Sequence, residues 1–242
     1  MTTEQIFSRT RLLTGDETMG HISETKVIIF GIGGVGSWAA ESLVRTGIRH
    51  ITLVDSDTIS ISNINRQLPA TTLTVGEPKV EVARRHLLEI NPEADIKAIT
   101  LFYSEETADS IDLSQYDYIV DAIDSLKDKA LLILNATRAN KKLFSSMGAA
   151  LKMDPQKVKV AEFWNVKGCP LARALRNKFK KEHKFPSRKF TCVYSDELLE
   201  NKGITTETCE YKAQINGSLS HITGMFGLML AGEIIKDICR RN

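Results

Sequence analysis

The sequence predicts an α/β fold in which helices cover both faces of a doubly wound, mostly parallel β-sheet. Short apolar, β-branched runs alternate with helical patterns, the order expected of strand–helix–strand units with right-handed crossovers. The alternating run Val158–Phe163 indicates an added antiparallel portion, and the apolar run 224–232 indicates a buried C-terminal helix. The chain has 242 residues, 42% of them hydrophobic, and no internal repeat, so we predict a single domain over 1–242.

The first half of the predicted sheet consists of two strands, each bounded by turn or helix signals. Residues 4–22 are predicted to form short helical pieces. Lys26–Phe30 is an apolar strand that ends in glycines, and a helix follows over residues 37–46. Ile51–Asp55 is β-branched and apolar, as expected for a parallel strand that is buried on both faces.

The later elements follow the same alternation. The dipeptide Glu77-Pro78 opens a helix, because proline suits the first helical turn, and Asn91-Pro92 ends it. The remaining predicted elements are strands Ile96–Phe102, Tyr118–Ala122 and Leu143–Ser146, and a helix from Ser125 to Asn140.

Three glycines after the first strand match the pattern GxGxxG: Gly31, Gly33 and Gly36. Gly31 can adopt a positive φ, Gly33 lets a phosphate approach the backbone, and Gly36 lets the helix pack against the strand. The helix N-terminus then offers unpaired N–H groups to an anion. We therefore predict a Rossmann-like nucleotide site that also includes Gly34. A glycine-rich turn without a ligand is the alternative.

The loop after the second strand distinguishes between classes of nucleotide enzyme. Asp55 stands where a carboxylate can accept hydrogen bonds from ribose hydroxyls. Amides and a guanidinium follow it, and Lys79 lies in the first turn of the next helix. Hydride transfer does not require cations around a phosphate, whereas attack on a phosphate does, because negative charge builds on its oxygens. A solvated Arg66 and a surface Lys79 are the alternatives.

Five segments resemble the ThiF/MoeB/ubiquitin-activating-enzyme superfamily, whose members adenylate a carboxylate with ATP and release pyrophosphate. They are Gly31–Ser37, Asp55–Asp57, Asn63–Gln67, Gly76–Lys79 and Asp121–Asp124. The resemblance covers nearly all of residues 1–165 and implies ATP and Mg²⁺. The residues that it assigns to the nucleotide are Gly31, Gly33, Gly34, Gly36, Asp55, Asp57, Asn63, Arg66, Gln67 and Lys79.

The resemblance also implies a catalytic set of Arg9, Arg66, Lys79 and Asp124. Asp124 binds the magnesium ion on the triphosphate, although an Asp just before a helix is also a good N-cap. Asp121 orients the loop. Arg9, or else Arg11, reaches the ATP of a partner subunit, which implies a homodimer.

Within the superfamily the chain is most similar to the tRNA threonylcarbamoyladenosine dehydratases. The segments that carry this likeness are Gly36–Gly47, Asn63–Gln67, Asp121–Ser125, Met147–Ala150, Asp154-Pro155 and Pro170–Ala172. The resemblance implies a tRNA substrate whose threonyl carboxylate is adenylated. The neighbouring ureido group then closes a ring and expels AMP, so no enzyme nucleophile is needed. Sulfur-transfer proteins are further candidate partners.

The segment 167–190, which we call the basic segment, carries nine lysines and arginines against one glutamate, whereas the whole chain has a net charge of only +2. Leu171, Leu175 and Phe179 recur in it at helical spacing. The cations predicted to project away from this stripe and to bind tRNA are Arg173, Arg176 and Lys180. The basic segment is thus predicted to be a substrate-binding insertion, and a solvated helix face is the alternative.

Two other functions fit part of the pattern. Activators of ubiquitin-like sulfur carriers usually carry two CxxC zinc pairs, and the four cysteines here form none. A redox protein that binds NAD fits the glycine turn but not the cationic loop. The N-terminus lacks a signal-peptide pattern and no apolar run is long enough to cross a bilayer, so we expect a cytoplasmic protein without membrane contact.

Overall fold

Seven strands form one sheet in the computed structural model, which describes residues 3–203 and 215–240. In chain order they are β1 Lys26–Phe30, β2 His50–Val54, β3 Asp95–Ile99, β4 Tyr118–Asp121, β5 Lys142–Ser146, β6 Val158–Glu162 and β7 Thr191–Ser195. Across the sheet the order is β3-β2-β1-β4-β5-β7-β6. All neighbours are parallel except β6 and β7. The predicted parallel sheet with an antiparallel addition is therefore confirmed.

The described residues also form eight α-helices. They are α1 Thr3–Ile6, α2 Ser8–Thr14, α3 Asp16–Glu24, α4 Gly36–Thr46, α5 Lys79–Ile90, α6 Leu126–Arg138, α7 Pro170–Glu182 and α8 Ser220–Cys239. The short N-terminal helices and the buried C-terminal helix are as predicted. Among the helices of the described ranges, none is both long and apolar enough to cross a membrane.

Two apolar layers cover the faces of the sheet, and β1 contributes to both. Val27 and Ile29 pack in the layer formed with α3, α4, α5 and α8. Ile28 and Phe30 pack in the layer formed with α6 and α7. Burial on both faces explains why β1 is a continuous apolar run instead of an alternating one.

The structure differs from the prediction in two strands. β3 ends at Ile99 instead of Phe102, because residues 100–103 are irregular and the Phe102 carbonyl accepts a hydrogen bond from Thr107 Oγ1 at 2.6 Å instead of pairing in the sheet. β7, which the sequence analysis did not predict, follows the basic segment directly. It completes the sheet between β5 and β6.

Candidate active site

The glycine turn lies at the point where the order of strand addition reverses. From β1 the chain adds β2 and β3 on one side and β4 and β5 on the other, so the carboxyl ends of β1 and β4 open the crevice where such sheets bind ligands. Gly31 has a φ of 89°, and a Cβ there would lie 2.7 Å from the Ala122 carbonyl oxygen. A Cβ on Gly36 would lie 1.8 Å from the Gly31 oxygen. Gly31 therefore has the positive φ that the sequence predicts, and Gly36 allows the predicted close packing of helix and strand.

Asp55 lies at the carboxyl end of β2, beside the glycine turn. Its Oδ2 accepts a hydrogen bond from the Ile32 N–H at 2.6 Å, and its Oδ1 accepts one from the Asp57 N–H at 2.9 Å. Burial raises the pKa of the Asp55 carboxyl above its ordinary value, and the charge of Lys79 and these two N–H groups oppose that rise. The carboxylate is thus oriented by the backbone and lies within the field of Lys79.

Lys79 is fixed at the start of α5 by two contacts with the loop after β2. Its Nζ lies 2.7 Å from Asp57 Oδ2, and its backbone N–H donates to the Asp57 carbonyl at 3.0 Å. The Lys79 side chain is 7% exposed, whereas that of Asp57 is 64% exposed. A surface Lys79 is therefore wrong. The structure makes Asp57 the ion-pair partner of a buried cation.

Arg66 lies against the glycine turn. Its Cγ is 3.3 Å from the position that a Cβ on Gly34 would take. Its Nη1 donates to the Ser62 carbonyl at 2.9 Å and to Asn65 Oδ1 at 2.7 Å. Trp38 Nε1 on α4 donates to the Arg66 carbonyl at 3.2 Å, so the glycine-turn helix holds this loop in place.

Two buried amides complete the loop. Asn63 Oδ1 accepts a hydrogen bond from the Ser60 N–H at 3.1 Å, which fixes its orientation. Gln67 Nε2 lies 3.7 Å from the position that a Cβ on Gly33 would take, and Gln67 Oε1 is buried without a hydrogen-bond partner. A buried oxygen without a hydrogen-bond partner lowers the stability of the fold by about 1–3 kcal/mol. The Gln67 amide nitrogen is the end of this side chain that lies next to the glycine turn.

A buried ion pair lies beneath the loop that carries Asp124. Lys129 Nζ is 2.9 Å from Asp121 Oδ2, and both side chains are 0% exposed. Lys129 Nζ also donates to the Ile123 carbonyl at 2.8 Å, and Asp121 Oδ1 accepts from the Ile123 N–H at 3.1 Å. Asp121 therefore orients the loop, as the sequence predicts, and Lys129 acts with it.

Asp124 itself is exposed, and it does not cap α6. The N-cap is Ser125, whose Oγ accepts from the Asp128 N–H at 3.3 Å, so the capping alternative is wrong. Within the described ranges, no three metal-binding side chains form a cluster. Mg²⁺ in nucleotide sites is held by one or two carboxylates together with phosphates and water. A single carboxylate at the end of β4 fits that donor set.

The sequence analysis missed Lys129, although a signal for it was present. Lys129, Leu132, Ile133 and Ala136 are spaced as one face of a helix, and all four are buried. A lysine on an otherwise apolar face indicates a buried partner, because an unpaired ammonium there is too costly.

Lys129→Met is expected to lower the free energy of unfolding by about 3–5 kcal/mol, because it leaves the Asp121 carboxylate buried without its cation. Denaturant titration measures the change. Lys127→Met, at an exposed position on α6, is the control and should alter stability by less than about 0.5 kcal/mol. Equal stabilities of the two variants would contradict the role given to the ion pair.

The predicted amphipathic helix in the basic segment is α7. Leu175 and Phe179 are buried and Leu171 is half-buried, whereas Arg173 and Lys180 are exposed. The helix therefore packs on its apolar side and displays these two cations.

Arg176 does not project away from the apolar stripe, so that expectation is wrong. Its Nη1 donates to the Phe163 carbonyl at 3.1 Å, and its guanidinium carbon lies 5.8 Å from the centroid of the Phe163 ring. Arg176 is half-buried and ties α7 to the segment after β6.

Arg9 belongs to the N-terminal helices and not to the loops around the glycine turn. It is exposed on α2, while Arg11 on the same helix forms an ion pair with Asp16 at 2.9 Å. Cys209 lies outside the described residues. The structure brings together at the carboxyl edge the residues that the resemblance assigns to a nucleotide: Gly31, Gly33, Gly34, Gly36, Asp55, Asp57, Asn63, Arg66, Gln67 and Lys79.

Comparisons with known proteins agree with this geometry. A family model described as "ThiF family" matches residues 7–242. A tRNA threonylcarbamoyladenosine dehydratase of Bacillus subtilis is 34% identical over 242 residues, 97% of this chain and 94% of that protein. A molybdopterin-synthase adenylyltransferase of Escherichia coli is 31% identical over 175 residues, 72% of this chain and 68% of that protein.

A solved structure extends the likeness to the whole fold. The crystal structure of E. coli tRNA N6-threonylcarbamoyladenosine dehydratase, TcdA, in complex with AMP has a TM-score of 0.88 at 31% identity. It covers 98% of this chain and 95% of that one, and the complex of TcdA with ATP has a TM-score of 0.86. Because the family model matches nearly the whole sequence, this chain belongs to the ThiF family.

Proposed function

We propose that this protein is an ATP-dependent tRNA threonylcarbamoyladenosine dehydratase. The observation that carries the adenylation chemistry is the meeting of the glycine turn, Arg66 and the buried Lys79 at one edge of the sheet. The full-length similarity to dehydratases supports the choice of substrate, since the adenylyltransferase relative matches over a smaller part of the chain.

In the first half-reaction, a carboxylate oxygen of the threonyl group attacks the α-phosphorus of ATP, and pyrophosphate leaves. Arg66 and Lys79 stabilise the negative charge on the phosphate oxygens, and the N–H groups at the start of α4 bind the phosphates. Asp55 accepts hydrogen bonds from the ribose hydroxyls. A Mg²⁺ ion held by Asp124 would neutralise part of the triphosphate charge.

In the second half-reaction, the ureido nitrogen attacks the activated carbonyl carbon, loses its proton, and AMP leaves as the ring closes. The net change in the nucleoside is the loss of water. Nucleophile and electrophile belong to one substrate, so the enzyme contributes by holding them together. The buried Cys192 is unsuited to act as a nucleophile, because burial raises the pKa of its thiol well above the ordinary value.

Mass spectrometry of nucleosides tests this function directly. Incubating the protein, ATP and Mg²⁺ with tRNA that carries threonylcarbamoyladenosine should convert that nucleoside to a product lighter by one water. Omission of ATP should prevent the change. The sulfur-carrier activator would instead be supported by two results together. The tRNA would remain unchanged, and pyrophosphate would be released only when a ubiquitin-like carrier protein is added.

A sulfur-transfer partner would need an accessible thiol. Of the three cysteines in the described ranges, Cys169 and Cys192 are buried and Cys239 in the last turn of α8 is exposed. The adenylating activity proposed here uses none of them. A tRNA substrate also agrees with the cytoplasmic location that the sequence predicts.

We also propose a homodimer in which Arg9 reaches the partner's nucleotide. Beside Arg9 on α2, Leu12 and Leu13 are 83% and 88% exposed, an unusual exposure for two adjacent leucines. Arg11 is engaged with Asp16 within the chain, which favours Arg9 over Arg11 for this role.

Mixing Arg9→Ala subunits with Lys79→Ala subunits should restore part of the activity that each variant lacks alone. Each mixed dimer would contain one site with both residues intact and one site that lacks both. Turnover of the mixture against each variant measures this, and light scattering reports the assembly. A monomer at assay concentrations would refute the dimer.

A further inference from the structure

Two exposed aromatic rings lie together, one just before the basic segment and one within it. Trp164 is 40% exposed and Phe185 is 51% exposed, and their ring centroids are 6.4 Å apart at an interplanar angle of 39°. We call this pair the aromatic platform. Because each ring leaves much of its surface to solvent, the platform could receive a further planar group.

Buried residues support the platform from below. The Trp164 ring packs edge-on against Phe163 at 5.1 Å, and Phe163 stacks on Phe190 at 4.8 Å. The Trp164 N–H donates to Glu162 Oε2 at 3.1 Å, which fixes the backbone at the ring. The tryptophan is therefore held in place before any partner binds.

Exposed cations lie along the segment that carries Phe185 and on the last turn of α6, against which that segment packs. The Ser187 N–H donates to Thr137 Oγ1 at 3.2 Å, which brings the segment that carries Phe185 onto the last turn of α6. The exposed cations of this last turn, of the end of α7 and of the segment after it are Arg138, Lys181, Lys184, Arg188 and Lys189. Glu182 is paired with Lys178, and Glu162 receives the Trp164 N–H, so neither carboxylate dominates the local charge.

The platform lies where the parallel strands begin, whereas the glycine turn lies at their carboxyl ends. Trp164 follows β6, and Glu162 pairs with Thr191, the first residue of β7. The start of α7 is near those carboxyl ends, because a Cβ on Gly148, just after β5, would lie 3.8 Å from Leu171 Cβ. The 13 residues of α7 span about 20 Å between the two ends of the strands.

We propose that the aromatic platform stacks an unpaired nucleobase of the tRNA, remote from the adenosine that reacts. Stacking on aromatic rings within a cationic surface is how proteins hold single-stranded nucleotides, whereas paired regions are bound through their phosphates. The inference rests on the proposed function, and it adds a second contact point for the same tRNA. An acidic peptide is the competing occupant, and the experiment below distinguishes the two.

Fluorescence anisotropy across a salt series tests the platform with intact tRNA and with a fully paired RNA duplex. Trp164→Leu and Phe185→Leu should each weaken tRNA binding about tenfold and leave duplex binding within about twofold, because only unpaired bases stack. Their salt slopes should match that of the unaltered protein. Lys184→Gln should instead weaken both RNAs and lower the salt slope by about one.

Matched variants control for folding and for general hydrophobic loss. Trp164→Phe keeps an aromatic ring and should bind tRNA within about threefold of the unaltered protein. Phe102→Leu makes the same substitution at a 54% exposed position beyond β3, at the other end of the sheet, and should change nothing. Trp164 is one of two tryptophans in the chain. Binding of tRNA should therefore quench part of the tryptophan fluorescence of the unaltered protein, and this quenching should be absent in Trp164→Leu.

The outcomes separate this inference from the function beneath it. Suppose that the unaltered protein binds tRNA, that Lys184→Gln weakens this binding, and that both leucine variants bind as tightly as the unaltered protein. Base stacking on the platform is then refuted, while the proposed function stands. Equal losses for tRNA and duplex would also overturn base stacking. Binding of an acidic peptide, with tRNA failing to compete, would assign the surface to a protein. Absence of tRNA binding by the unaltered protein would refute the proposed substrate itself. Steady-state kinetics with the loaded tRNA add a check, since both leucine variants should raise KM and leave kcat unchanged.

Discussion

Arg66→Ala and Lys79→Ala are each expected to lower kcat for ATP-dependent adenylation by on the order of a hundredfold or more. Each change removes a fixed cation from the place where negative charge develops on the phosphate, a loss of about 3 kcal/mol in the transition state. Pyrophosphate release at saturating ATP measures the effect.

Both variants should remain folded. The partner that Lys79→Ala leaves behind, Asp57, is 64% exposed and can be solvated. The groups that Arg66→Ala leaves behind, the Ser62 carbonyl and the Asn65 amide, belong to exposed residues.

Arg85→Ala is the matched control. Arg85 lies on the same helix as Lys79, and its side chain is 52% exposed. Its Nη2 lies 2.7 Å from Glu77 Oε2, and this ion pair is not part of the glycine turn. Its loss should leave turnover within about twofold, as for most surface pairs. Near-normal turnover in both Arg66→Ala and Lys79→Ala, with Arg85→Ala as reference, would refute the mechanism.

The sheet could be predicted because its signals are local. β1 and β2 are continuous apolar runs next to turn residues, and the glycine pattern fixes the strand–turn–helix unit. The glycine turn and the polar loop after β2 could be recognised for the same reason, because each is a short local pattern. The resemblance then supplied roles that composition and spacing do not give.

What could not be predicted depends on contacts between distant parts of the chain. Arg176 occupies a helix position that faces solvent by spacing, but Phe163 lies 13 residues earlier and captures its guanidinium. β7 follows a long charged segment, and its place between β5 and β6 requires pairing on both sides. Asp121 and Lys129 become a pair only when α6 packs on the sheet.

The double variant Arg173→Glu, Lys180→Glu is expected to abolish tRNA retention at physiological salt while ATP affinity stays unchanged. Both residues are exposed on α7, so reversing their charge replaces attraction to phosphates by repulsion without disturbing the buried side of the helix. Arg176 is left in place, because its loss would free the Phe163 carbonyl and weaken packing. Gel shift across a salt series and calorimetry with ATP provide the two measurements.

A control with the same change in net charge separates a local surface from bulk electrostatics. The double variant Lys26→Glu, Lys97→Glu reverses the charge of two exposed lysines that lie away from α7, one at the start of β1 and one in β3. It should weaken tRNA binding only slightly, because screening limits the reach of surface charges to about 8 Å at physiological salt. Equal losses in the two double variants would show that net charge alone governs binding, and unchanged binding in the α7 variant would make α7 a solvated face. Either result would remove the reason to prefer a tRNA over a carrier protein on the basis of this surface.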